Sequence, residues 1–292
     1  MIVSNATSRR WKNRLALCVM VAMVLASLVP LASLSWTLVS KGIGAVNWQF
    51  FYHLPLATPP GVGNAILGSG LVLLVATLVA VPLGLLVGLY LAHFAQDRMA
   101  GPTRSLLDVM SGIPAIVVGM FIYSVVVQQF GFSALAGGLS LAMIMLPIFA
   151  RTTEEAIKSI PPTVNEAGLA LGLPRRRVIL RIVLRSAMPA VLTGFFLAVA
   201  RVGGEAAPLL FTAFGSNSWP SHSAKDLVTF KPLTEQVASL PQIIYEYAKD
   251  PRPEVVSLAW GASLLLVGMI LTIRLGTNLY IRYRYGKGES GH

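Results

Sequence analysis

The chain has 292 residues, 55% of them hydrophobic and only 12% charged, about half the charge of an ordinary soluble domain. The apolar residues come in long unbroken blocks, which excludes a soluble globular protein, and the lack of strict alternation excludes a membrane-spanning strand barrel. A formal charge of +11 would suit nucleic acid, yet the basic residues are sorted by loop and so encode orientation in a bilayer.

Six helical spans are expected, at 15–39, 64–94, 106–128, 133–151, 187–213 and 258–280, each long enough to cross about 30 Å of hydrocarbon. The reading is an all-α polytopic membrane protein with a segment 1–14, one membrane domain 15–285 and a tail 286–292. Of 23 Lys and Arg, 17 fall in the N-terminal segment, the loops at 95–105 and 151–186, and the last span with its tail. Five lie in the loops at 40–63 and 214–257. By the positive-inside rule both termini and the long basic loop are cytoplasmic.

Arg9-Arg10 precedes the first apolar run in the manner of a twin-arginine or Sec signal. The run outlasts a signal core, lacks a small-x-small cut site and keeps the number of crossings even, so it is read as a span. Cys18, the only cysteine, lies within it and has no partner for an internal disulfide; it reads as a small packed residue. Trp36, Trp219 and Trp260 fall at outer boundaries and suit interfacial anchors.

In the second span Gly84 and Gly88 form a close-packing pair, read as a helix contact within the chain or, more boldly, as a dimer seam. Proline recurs inside spans at Pro30, Pro82, Pro114, Pro147 and Pro208. Each invites a kink, as a rearranging machine needs, but proline is also simply commoner in membrane helices.

The basic cytoplasmic loop 152–186 contains a specified short helix. Thr163 with Glu166 three residues later forms a capping box, Pro161 and Pro162 precede it, and Gly172 with Pro174 ends it after roughly nine residues. Val164, Ala167 and Leu171 fall on one stripe with Gly168 beside them, a face suited to close contact with a partner.

The fifth span carries Arg201 and Glu205, the two clear ionisable groups inside the spans. Each costs roughly 2.5–3.5 kcal/mol at mid-membrane, and their i, i+4 spacing puts both on one helical face. One reading is a self-neutralising structural pair. The other is that Arg201 meets a tetrahedral oxyanion with its forked donors while Glu205 holds the guanidinium and limits how tightly the anion is trapped. Gly203-Gly204 and a helix break at Pro208 a turn later favour the second reading, since both belong beside a cavity or a closely packed partner.

The outer loop 214–257, about 44 residues with a possible helix at 233–249, reads as a lid or docking surface. Its Ser221-His222-Ser223 and Asp226 hold the ingredients of a nucleophilic triad, but neighbours in a loop rarely converge, and a solvated loop is the better reading. No catalytic residue is assigned, and the four histidines (His53, His93, His222, His292) have no second ligand at metal spacing, so no metal site is assigned either. No Gly-x-x-x-x-Gly-Lys-Ser/Thr occurs. The chain therefore lacks the usual phosphate-cradling loop, and any ATPase is another polypeptide.

Glu166-Ala167-Gly168-Leu169-Ala170-Leu171-Gly172, with Ile182-Val183-Leu184 following, resembles the EAA signature of type I ABC importer permeases. Residues 200–212 (Ala-Arg-Val-Gly-Gly-Glu-Ala-Ala-Pro-Leu-Leu-Phe-Thr) resemble the phosphate-importing branch of that family, as do Ser111 through Gly119, Leu240-Pro241 with Ile244-Tyr245, and Leu258 through Trp260. The likeness covers about residues 60–285. It implies the type I importer fold and a non-enzymatic permease for inorganic phosphate. It also implies a homologous permease of PstC type, two ATPase subunits of PstB type that bind ATP and Mg, and a phosphate-binding protein of PstS type outside. By position, Arg201 and Glu205 become the substrate pathway, and Glu166, Ala167, Gly168 and Gly172 the ATPase-coupling segment. Three residues depart from the family pattern: Gly168 for the second alanine, which loosens the short helix, Arg185 for a proline, and Ala206 for a threonine. The rival readings are a permease for sulfate or molybdate and an ATP-independent channel or secondary transporter. An enzyme acting on lipid fits poorly without a nucleophile–base set.

Overall fold

A computed structural model describes residues 4–220 and 231–285. The Ser221-His222-Ser223 and Asp226 group and the tail 286–292 lie outside the described residues. The long helices are α1 (Ser4–Gly42), α2 (Gly63–His93), α3 (Ala100–Gly112) and α4 (Ala115–Phe130). They continue with α5 (Ala134–Lys158), the nine-residue α6 (Pro162–Ala170), α7 (Arg175–Val202) and α8 (Ala207–Thr212). Two short outer helices, α9 (Lys231–Thr234) and α10 (Leu240–Tyr247), lead into α11 (Pro253–Tyr285).

The core is built on α2 and α5. Val72 touches the position of Gly137, Gly84 sits against Phe149 and Gly88 against Thr153, so partners differ in number by a constant 65. A constant difference means that the two helices run parallel. A Cβ on Gly88 would lie 2.6 Å from Thr153 Cβ and 2.8 Å from the Ala150 carbonyl. In lipid no hydrophobic force pulls helices together, so such close backbone approach through small residues supplies the association. The Gly84/Gly88 pair is therefore a packing contact within the chain.

Parallel neighbours require the chain between them to cross back. The third expected span does so as two helices, α3 and α4, bent by 99° at Ile113-Pro114. Arg104 on α3 bonds to the Leu91 carbonyl and to Glu154, both at the inner ends of their helices, whereas Ser133 after α4 bonds to the Thr212 carbonyl at the outer end. The bent pair is thus a broken crossing rather than a re-entrant loop, and six crossings result. Among the described residues five helices are long and apolar enough to span alone, and the bent pair is the sixth. The inner ends of α1, α2, α5 and α11 accordingly share a face with α6, which the charge pattern assigns to the cytoplasm.

Pro30, Pro82 and Pro147 stay inside continuous helices, whereas Pro114 caps α4 at the bend and Pro208 begins α8. The described part of the outer loop packs onto the bundle. Leu240, Pro241, Gln242 and Ile243 are buried, the Leu240 amide donates to Ser69 Oγ at 2.8 Å, and the Asn64 side chain donates to the Ser216 carbonyl at 2.6 Å. The described part of the loop plugs the outer mouth of the bundle, because its apolar residues have nowhere else to be buried. The expected helix over 233–249 is interrupted, leaving α9 and α10 apart. Of the tryptophans, Trp36 is exposed, Trp219 reaches over Gly63, and Lys41 lies 5.1 Å over the Trp260 ring.

Gly70, two residues from the buried Gly68, has nothing within 4 Å of an added Cβ. Gly88→Ala is expected to lower thermal stability in detergent by about 1–3 kcal/mol through overpacking, while Gly70→Ala leaves it unchanged or raises it slightly through helix propensity. Equal melting temperatures for the two variants would contradict the α2–α5 seam.

Candidate functional site

α7 rises from the cytoplasmic face and stops at Val202, short of the expected span end. Gly203 caps it, Glu205 turns back to donate its amide to the Val202 carbonyl at 3.1 Å, and α8 begins at Ala207. The break therefore precedes Pro208 rather than following from it. Proline in the first turn of a helix loses no hydrogen bond and fixes φ for helix entry, so Pro208 starts α8. Ala206, at the N-cap, offers no side-chain oxygen to the first amides. Gly119 of α4 lies against the Pro208 backbone, 2.6 Å from an added Cβ to its Cα. This contact locks the broken third crossing to the broken fifth.

The break lies in the outer part of the bundle. Val202, Gly203 and Leu209 line a small void with Val72 and Leu141, which stand nine and seven residues below the outer ends of α2 and α5, about 10–14 Å of helix. That void, with Ser69 and Ser239 also on its wall, holds about 10 Å³, room for at most one water. The break is closed on its core side and open on the other.

Arg201 and Glu205 meet on the open side, in an ion pair that spans the end of α7 rather than running along an intact helix. The two are unequally placed: the Arg201 side chain is 59% exposed and that of Glu205 15%. Glu205 is tucked into the break and Arg201 is presented outward from it. A guanidinium exposed at this depth cannot face hydrocarbon without a large cost, so its surroundings are water or another protein.

The short cytoplasmic helix matches its expected length, but its start differs. Pro161 is the N-cap, no side chain caps the first turn, and Thr163 and Glu166 do not form a capping box. Pro162 at the first helical position, whose missing N–H is one of the unbonded groups of a first turn, replaces it. The end is as expected: Gly172 has φ +75°, its amide donates to the Leu169 carbonyl at 2.9 Å, and the Leu173 amide to the Gly168 carbonyl at 3.4 Å, the double bond of a Schellman stop.

Gly168 proves to be the seat of the helix. It is buried, and a Cβ there would lie 2.9 Å from Val178 Cγ1 of α7. The close approach read from the sequence is made to the chain's own α7, and Gly168 fastens the helix rather than loosening it. Glu166, Ala167 and Leu169 face outward, and Leu171 is 79% exposed.

Sequence reading missed a second charged site. α5 continues past residue 151 to Lys158 and buries Glu154, whose side chain is 4% exposed. Arg104 donates to it from Nε at 3.0 Å and Nη2 at 2.8 Å, Lys158 at 2.6 Å and Arg151 at 3.4 Å, while Arg151 also pairs with Asp108. The i, i+3 and i, i+4 partners were legible, but Arg104, 50 residues away, was not. The clasp ties the bent third crossing to α5 at the cytoplasmic end. Among the described residues no group of three or more His, Cys, Asp or Glu is placed to hold a metal ion.

Comparison with known proteins bears on the family and the fold. A family model described as binding-protein-dependent transport system inner membrane component matches residues 80–284. A phosphate transport system permease protein PstA of Yersinia pestis is 38% identical over 275 residues, covering 91% of this chain and 89% of the relative. A probable phosphate transport system permease protein PstA of Methanocaldococcus jannaschii is 34% identical over 273 residues, with 93% and 94% covered. Among solved structures, the chain is similar to one in an inward-facing MetNI methionine ABC transporter, with a TM-score of 0.57 at 18% identity over 76% of this chain and 94% of that one. The likeness shows a shared fold.

Glu154→Ala leaves Arg104 and Lys158 without their carboxylate and Arg151 with Asp108 alone. It is expected to cost about 3 kcal/mol, the typical penalty for breaking a buried ion pair, and to open the 95–112 segment to proteolysis. Arg104→Ala should give the same cleavage pattern. Unchanged stability in both variants would show that the clasp does not hold the third crossing.

Proposed function

Because the chain belongs to the binding-protein-dependent transport system inner membrane components, and among them to the PstA phosphate permeases, we propose that it forms half of a transmembrane conduit whose oxyanion contact is Arg201. It is the permease subunit of a phosphate ABC importer, a multi-pass membrane protein that works with a separate ATPase and a substrate-binding protein. The observation that carries the reading of the site is the open-faced break at Gly203–Ala206, with Arg201 exposed and Glu205 behind it. An ionised face at that depth needs an aqueous or protein neighbour, and a second, homologous permease of PstC type placed there would turn the face into the wall of a pathway.

The chemistry follows from the side chains. Arg201 offers planar N–H donors that match two oxygens of a tetrahedral phosphate. Glu205 already occupies part of that fork, so the anion competes with an internal carboxylate and leaves readily. A conduit requires this balance, since binding too tight to release stops flux. The exposed Glu166, Ala167, Leu169 and Leu171 of α6 supply the ATPase contact on the cytoplasmic side, with Gly172 ending the helix and Gly168 anchoring it to α7. Displacement of α6 is transmitted along α7, the helix that carries Arg201 at its other end. Two PstB-type subunits would bind ATP with Mg and drive that displacement, and a PstS-type protein would deliver phosphate from outside. The setting is the cytoplasmic membrane of a bacterium.

Two measurements test this on the assembled, reconstituted complex. Arg201→Ala is expected to lower phosphate-stimulated ATP hydrolysis and uptake at least tenfold with the ATPase still co-purifying, and Arg201→Lys to restore part of the flux. Wild-type uptake by Arg201→Ala would refute the assignment. Leu171→Asp, which changes an exposed residue and spares the Gly168 seat, is expected to release the ATPase from the complex while leaving the permease folded by its melting curve. Retention of a fully coupled ATPase would show that α6 is not the grip.

A further inference from the structure

At the cytoplasmic end of α2 a groove of about 380 Å³ opens between that helix and the first turns of α7. Its deep wall is apolar, formed by Leu86 and Leu89 of α2 and Ile179 and Leu180 of α7. Leu86 and Leu180 are 63% and 45% exposed, so the wall faces outward from the described chain. At the mouth stand Arg175 and Arg176, both exposed, beside His93 and Phe94. Leu86 lies seven residues before His93, so the apolar wall reaches about 10 Å below the basic rim.

The rim is built rather than incidental. Arg175 lies 5.2 Å over the Phe94 ring and donates one N–H to the His93 carbonyl at 3.5 Å, which fixes its guanidinium above the groove. Tyr90 and Phe94 stack with centroids 5.8 Å apart and form one side of the mouth. Asp97, which does not line the groove, is held by the Tyr90 hydroxyl at 2.5 Å. A wide helical turn over Val178–Val183 follows the arginines, and such a turn re-phases the basic end relative to the apolar helix beyond it. A neighbouring hollow of about 430 Å³ shares Arg176 and Leu180 and adds Arg177 and Arg181, so positive charge continues around the same helix.

An occupant must be apolar over at least 10 Å, anionic at one end, and present at the level where the cytoplasmic leaflet meets water. We infer that this groove holds an anionic phospholipid of the inner leaflet, with its phosphate against Arg175 and Arg176 and an acyl chain along Leu86, Leu89, Ile179 and Leu180. Basic pockets between membrane helices on the cytoplasmic side favour such headgroups, and the leaflet's negative surface concentrates them there. A peptide partner would leave the deep leucine wall against hydrocarbon, and free phosphate would make no use of it. Because the groove joins α2 to the segment that follows α6, a lipid seated there braces the α7 end of the coupling segment.

The assembled complex, purified in detergent, can be examined by native mass spectrometry after addition of phosphatidylglycerol or phosphatidylcholine of identical acyl chains. The wild-type complex is expected to retain phosphatidylglycerol in preference to phosphatidylcholine. Arg175→Gln with Arg176→Gln should weaken that retention roughly tenfold or more, as expected for removing two cations beside an anionic headgroup. Arg10→Gln with Arg14→Gln, which removes equal charge from the inner end of α1, should leave the site filled. Four results would overturn the proposal: equal losses in the two double variants, equal retention of both lipids, displacement by inorganic phosphate, or no retained lipid because a partner subunit covers the groove.

Discussion

Everything in this fold hangs on the close parallel contact between α2 and α5. Glycines at 84, 88, 137 and 138 let the two backbones approach until a Cβ added at 88 or 138 would meet a carbonyl of the other helix. Lipid is as apolar as leucine, so helices in a bilayer gain little by hiding leucines from it; they gain from dense packing, which small residues permit. Once these two helices are fixed side by side and in the same direction, the intervening chain has to climb back across the membrane. It does so in two pieces, and the bend between them meets the break in the fifth crossing where Gly119 lies on Pro208.

That meeting of two broken crossings places the charged pair. A continuous fifth helix would have kept Arg201 and Glu205 as successive rungs on one face, equally exposed. With the helix ended at Val202, Glu205 folds into the turn and Arg201 is left outside it. The asymmetry separates a holder from a presenter, and it arises from backbone geometry rather than from the identities of the two residues. At the opposite end, the Glu154 clasp ties the third crossing to α5 with three cationic partners drawn from two helices. The bent crossing is thus fastened near its bend by backbone contact and at its cytoplasmic end by ion pairs.

The short helix α6 shows which parts of a local structure the sequence displays and which it hides. Its length, its stop at Gly172 and its outward Leu171 were readable, because terminal glycine and exposed apolar residues carry their own physics. The role of Gly168 was not, because the atom it accommodates belongs to Val178, beyond the turn. The same holds for the outer loop: Leu240 to Ile243 are buried through contacts with helices that lie far away in the sequence.

Sequence alone determined that the chain is a six-crossing α-helical membrane protein, its orientation, the nine-residue cytoplasmic helix and the pair Arg201 and Glu205, since apolar length, loop charge, proline and glycine signals, and the rarity of ions in lipid are local properties. Only the tertiary structure decided that the third and fifth crossings are broken, that Glu154 is buried among Arg104, Arg151 and Lys158, that Gly168 seats α6, and that Arg201 faces out while Glu205 turns in. Those outcomes depend on which distant segments share one small volume, and close packing between remote residues leaves no periodic trace in the residues that make it.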